Sequence, residues 1–221
     1  FLAIANLVWL GYVRPNRFRI YITARNDLAI ANMNVGPDSV DDLREFEFVV
    51  TFEPGTDELM DVFHRHESLS VRSSAIFTTE ETMWRLDHAK GTREALEAFD
   101  EVFLDETRCN ECLDAPNCET HRSYYVLERR PTMRTVYTLR EEVNRCHSIP
   151  YFVYDDVGEG VVFESRRTGG EYRWRVLSPG TQPLGELYDT IEAVLREGAT
   201  LSVSRLAEAD EWRAIARALE D

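Results

Sequence analysis

Three of the chain's four cysteines and one histidine fall within thirteen residues, as Cys109-x2-Cys112-x5-Cys118-x2-His121, and the fourth cysteine stands beside another histidine at Cys146-His147. Thiolate and imidazole are the ligands that soft and borderline metals prefer, and a Cys-x2-Cys turn presents two sulfurs to one ion. The segment is polar and carries Pro116 and two asparagines. It would make a poor strand or core helix, so inert apolar thiols explain it badly. A disulfide framework is unnecessary in a chain of 221 residues that shows no secretory signal. The spacing points to a metal site, with zinc as the expected ion. Cys109, Cys112 and Cys118 are the expected ligands, and the fourth is left open among His121, Cys146 and His147. A redox pair at Cys109 and Cys112 is the competing chemistry, but such pairs normally follow a strand and open a helix.

The remaining charge narrows the partners. Forty Asp and Glu face 25 Lys and Arg, a net charge of −15, and Lys90 is the single lysine. Such a surface repels phosphate backbones, so these residues are not expected to bind nucleic acid by themselves. Acid excess with arginine in place of lysine is the surface style expected of a haloarchaeal cytoplasmic protein, and equally of a plain acidic protein from a GC-rich genome. Residues 1–32 depart from it, with Arg14, Arg17, Arg19 and Arg25 against Asp27 alone. The apolar run from Phe1 to Val13 is too short to span a bilayer and lacks the flanks of a signal peptide. Residues 1–32 are read as translation upstream of a start at Met33, or as a disordered segment. No membrane partner is expected.

From Met33 the pattern is regular. Phe46, Phe48, Val50 and Phe52 alternate as a strand, and Leu59, Val62, Phe63 and His66 recur at helical spacing with Thr56 as the expected N-cap. Strands follow near Leu69–Phe77 and Trp84–Leu86, then a helix opened by Gly91-Thr92, then a strand at Tyr124–Leu127. This β-α-β-β-α-β order predicts an α+β fold with a ferredoxin-like or ACT-like domain over 33–130 and the cysteine cluster as an insertion at 105–122. Residues 131–207 read as a second α+β domain. Its expected strands are Arg134–Leu139, Tyr151–Tyr154, Val161–Phe163, Tyr172–Val176 and Leu201–Ser204, with a helix from Pro183 to Gly198. Residues 208–221 read as a linker helix.

Other candidates carry less. His64 and His66 suit a helix C-terminus. Gly158-Glu159-Gly160 lacks the residues of a phosphate loop and reads as a turn. Tyr124, Tyr125, Tyr151, Phe152 and Tyr154 read as core rather than as the pocket of an ACT-type ligand module. Arg166, Arg167, Arg173 and Arg175 flank one hairpin as a candidate basic face, although a salt-bridged strand surface is the commoner arrangement. No G-x-S-x-G or H-E-x-x-H is present, and no catalytic residues are assigned.

Several stretches carry a family resemblance: Phe52-Glu53-Pro54-Gly55, Thr82 to Asp87, Asp100 to Asp105, Cys109 to Leu113, Arg134 to Thr138, and Cys146 to Tyr151. Together they resemble the sensory half of haloarchaeal helix-turn-helix regulators related to the bacterio-opsin activator, over about Met33 to Trp212. The resemblance implies a cytoplasmic one-component transcription regulator that is not an enzyme. It implies DNA contact only through a C-terminal helix-turn-helix, which these residues do not include. A homodimer and a small-molecule or redox effector are left open.

Overall fold

Residues 43–114, 118, 120–158, 160–179 and 184–208 are described by a computed structural model. The expected upstream segment at 1–32 lies outside them, and so does all but the first residue of the linker helix expected at 208–221. The first half runs β1 (Leu43–Phe52), α1 (Glu58–Arg65), β2 (Ser70–Thr78), β3 (Thr82–Lys90), α2 (Arg93–Phe103) and β4 (His121–Arg130). The second runs β5 (Met133–Glu141), α3 (Ile149–Val157), β6 (Val162–Thr168), β7 (Glu171–Pro179), α4 (Leu184–Ala193) and β8 (Ala199–Glu208). The second half thus repeats the order of the first.

The fold is α+β, and its eight described strands form one antiparallel sheet in the order β4-β5-β3-β2-β6-β7-β1-β8. Read in terms of the repeat, the order is palindromic, with the first strand of each half exchanged. β1 lies between β7 and β8, and β5 lies between β4 and β3. Strands from 33–130 and from 131–207 therefore share one sheet.

Local chemistry sets the helices. The N-cap of α1 is Asp57, whose carboxylate accepts from the Met60 amide at 2.9 Å. The expected cap, Thr56, instead donates to the Gly198 carbonyl. Thr92 caps α2 as expected, accepting from Ala95 at 3.2 Å. Tyr151–Tyr154, expected as a strand, belongs to α3. Its buried residues Ile149, Phe152, Val153 and Val157 recur at helical spacing, and Pro150 sits in the first turn where its missing N–H costs nothing. A short apolar run does not distinguish the two states by itself. His64 lies in the last turn of α1, and its Nε2 donates to the Phe52 carbonyl at 2.9 Å. Gly170 lets the β6–β7 turn close on that ring, since a Cβ there would come within 2.5 Å of it.

One sheet face meets the helices. Phe63 of α1 packs edge-on to Phe99 of α2, and Phe99 stacks on Phe103. Alternation along β3 buries Met83, Arg85, Asp87 and Ala89 on this face, and Trp84, Leu86 and His88 look the other way. Across the sheet, one buried row reads Asp87, Ser73, Ser165, Trp174, Phe48. It passes from charged to aromatic, and that gradient positions the candidate site.

Candidate metal centre

The connection Leu104–Thr120 leaves α2, and its described residues bring cysteine sulfurs against the sheet. Asp105 starts the turn by accepting from the Thr107 amide at 2.9 Å and from its hydroxyl at 2.6 Å. Cys109 and Cys112 follow. Cys146 arrives from the other half, after a 3-10 turn at Val143–Arg145 whose preceding residue, Glu142, is left-handed at φ 59°. The Leu113 amide donates to the His147 carbonyl at 2.8 Å and ties the two segments together.

Cys109, Cys112, Cys118 and Cys146 place their sulfurs within 4.8 Å of one another, and all four are free thiols. Cys109 lies 3.0 Å from Cys118 and 4.0 Å from Cys146, and Cys118 lies 3.6 Å from Cys146. Metal–sulfur bonds of about 2.3 Å at tetrahedral angles put sulfurs roughly 3.8 Å apart, so the cluster has the size of a tetrathiolate cage. The structure does not bring the two histidines into this group. His121 is exposed at the start of β4, and His147 is half-exposed with Nδ1 3.8 Å from Asp114.

The surroundings suit a negative centre. Arg122 donates to the Cys118 sulfur at 2.9 Å and Arg140 to the Cys109 sulfur at 3.6 Å. Cys109 is held far below the ordinary thiol range, first by donation from Cys112 and then from Cys118 and Cys146. Burial opposes this and Arg140 assists it. Cys146 is pushed up, because its own proton is engaged by Cys109, Cys112 and Cys118. Without a metal the cluster would have to share protons among its sulfurs, and a divalent ion replaces those protons.

Between the two cysteines of the Cys-x2-Cys turn in sequence, Glu111 is buried in the core. Its carboxylate pairs with Arg85 of β3 and Arg140 of β5 and lies 3.7 Å from Arg167 of β6. Arg85 also binds Asp87 at 2.9 Å, and Asp87 accepts from Ser73 at 2.5 Å and from Thr138 at 2.8 Å. Burial would raise the Asp87 carboxyl, but the Arg85 charge and these hydrogen bonds hold it below the usual carboxylate range. Arg167 donates to the Asn110 carbonyl at 2.9 Å and lies over the Tyr172 ring. Four buried guanidiniums (Arg85, Arg122, Arg140, Arg167) thus face two buried carboxylates, Asp87 and Glu111. A divalent ion in four thiolates is dianionic and closes that balance. The donor set therefore fits a soft or borderline divalent metal.

Arg196, just before β8, fastens the loop from outside. It donates to the carbonyls of Cys112 and Leu113 and pairs with Asp57 at 3.1 Å. Sequence reasoning missed the roles of Glu111, Arg85, Arg122, Arg140 and Arg196, and it grouped Arg167 with an outer basic face although that residue is buried against the cysteine loop. The signal was a charged alternation, Arg85 and Asp87, on the inward positions of a strand that otherwise reads as half-buried.

A protein-family model described as HVO_2928_N, N-terminal, matches residues 45–212. The chain belongs to that family. Its haloarchaeal name agrees with the acid-rich, lysine-poor composition. The HVO_2928 N-terminal match takes in both halves of the sheet, all four cysteines and the buried arginines. No curated protein matches the sequence. No described helix is long and apolar enough to cross a membrane.

Proposed function

We propose that this chain is the sensory or regulatory region of a one-component helix-turn-helix transcription regulator related to the bacterio-opsin activator, built around a structural zinc site. Zinc is favoured because four thiolates form a closed tetrahedral set that leaves no open position for chemistry. The ligands are Cys109, Cys112, Cys118 and Cys146, with His121 and His147 outside the first coordination sphere. The observation that carries the reading is the convergence of cysteines from two halves of the chain on one buried point. Such a centre fixes the relation of two segments, and that is what a relay to a DNA-binding element needs. When bound, the ion supplies structural cross-linking. The chain's own residues supply the rest: Glu111 neutralises the sheet arginines and Arg196 holds the loop. DNA would be reached only through a helix-turn-helix, since the acidic charge disfavours direct contact.

The reading of the first half as a ferredoxin-like or ACT-like unit belongs here too, supported by its β-α-β-β-α-β order, which the second half repeats. A thiol oxidoreductase is disfavoured because Cys109, Cys112 and Cys146 are each at most 4% exposed, which denies a protein disulfide access to them.

The functional test is transcript profiling of cells carrying the intact gene, its deletion, and Cys112→Ser. The proposal expects a defined gene set to change on deletion and the Cys112→Ser strain to reproduce it. Unchanged transcripts on deletion would refute the regulatory role.

A further inference from the structure

Three arginines stand side by side on the sheet face turned away from the helices. Arg166 of β6 lies directly opposite Arg72 of β2 on one side and opposite Arg173 of β7 on the other. Like charges directly opposite on adjacent strands destabilise a sheet. In a chain with 40 acidic residues against 25 basic ones, such a row is costly and conspicuous. Its outer members are partnered. Arg72 pairs with Glu164 at 2.8 Å, and Arg173 pairs with Glu47 at 2.8 Å and Glu171 at 3.3 Å. The central Arg166 is exposed, and among the described residues no carboxylate or hydrogen-bond acceptor holds it. Together with Arg175, the three arginines line a shallow cavity of about 240 Å³, whose wall also carries Glu47 and Glu164, the carboxylates already paired with Arg173 and Arg72.

We propose that this row binds a small multivalent oxyanion, either a phosphate-bearing or a polycarboxylate metabolite. Guanidinium forks match both groups in bidentate geometry. An anion seated on Arg166 relieves the repulsion that the apo row carries. The acidic charge of the whole chain works against a nucleic-acid polyanion, while a small ligand meets the local field of the row. The site does not depend on the metal reading. It does lie back to back with that centre, because the next residue, Arg167, turns to the opposite face and donates to Asn110 within the cysteine loop. Of the four arginines around the β6–β7 hairpin, Arg166, Arg173 and Arg175 therefore share this face with Arg72, and Arg167 serves the core.

The test is calorimetric titration and thermal unfolding of the full chain with sodium pyrophosphate and with citrate at constant ionic strength. Saturable binding of at least one of them, with a raised melting temperature, is expected. Arg166→Gln should weaken it at least tenfold, yet unfold no earlier than wild type without ligand, because a like-charge opposition has been removed. Arg166→Lys, which keeps the charge without the fork, should fall between. Arg93→Gln, exposed at the start of α2, should bind as wild type does. Preference for pyrophosphate or for citrate would support the site and identify the source of the anion. Absence of saturable binding by both, or equal binding by Arg166→Gln, would overturn the proposal.

Discussion

The two halves of the sheet share an element order but close their cores with different chemistry. In the second half, α4 reaches β8 through Val194–Gly198, and the inward face beneath is aromatic, with Tyr172 and Trp174 beside Phe46 and Phe48 of the exchanged strand β1. In the first half, α2 reaches β4 only after Leu104–Thr120, and the inward face is Arg85, Asp87, Thr138 and Arg140. One half buries mainly rings, whose contribution is chiefly packing, with Arg167 of β6 as its charged exception. The other buries charges, which need partners delivered from outside the sheet, and the long cysteine loop delivers them. The insertion is therefore the missing part of the core rather than an ornament on a finished domain.

The largest expected effect separates the halves. Stripping the metal with a chelator should disorder Leu104–Thr120 and the Cys146 segment, since structural zinc contributes on the order of 10 kcal/mol in small sites. Hydrogen exchange should show amides of β6, β7 and β1 keeping their protection while those of β4 and β5 lose it. Uniform loss would mean that the two cores are not distinct.

Glu111→Gln comes next. It keeps the side chain's size but leaves the guanidiniums of Arg85 and Arg140 short of a buried charge, and removing one partner of such a pair costs about 3–5 kcal/mol. Chemical unfolding should show this with metal still bound. A cost below about 1 kcal/mol would mean that water or another acid already balances the arginines.

The smallest effect is a pH limb. Burial first, against the opposing charges of Arg85 and Arg122, raises the Tyr124 hydroxyl to about 12. Its folded value thus lies above the unfolded value of about 10. Its stabilising contribution is therefore complete below about pH 10 and is lost as pH rises toward about 12. Tyr124→Phe should flatten that limb in thermal melts between these values. An unchanged alkaline limb would assign the loss to other groups.

This contrast also explains what could be read in advance. The strands and first two helices were legible because Phe46–Phe52 alternates and Leu59, Val62 and Phe63 recur at helical spacing. α3 was misread because Tyr151–Tyr154 is short and apolar, and its helical character depends on Ile149 and Val157 beyond it. The exchange of β1 and β5 was not legible, because local patterns fix which face a strand buries but not which strand lies beside it. Within the site, the three clustered cysteines were plain from spacing. Choosing Cys146 over His121 and His147 required the fold, because all three lie near the cluster in sequence or join it only through a second segment. Glu111 was hidden among 40 acids, and only its burial between Cys109 and Cys112 distinguishes it.

The central claim is that four sulfurs, and no histidine, hold one ion that completes the first core. Elemental analysis of the chain purified under reducing conditions tests it directly, comparing wild type with Cys146→Ser, His121→Ala and His147→Ala. The account predicts about one divalent ion per chain in wild type and in both histidine variants, as a closed tetrathiolate site requires, and loss of the ion in Cys146→Ser. Metal-free wild type, or a histidine variant that loses the ion while Cys146→Ser keeps it, would contradict the account.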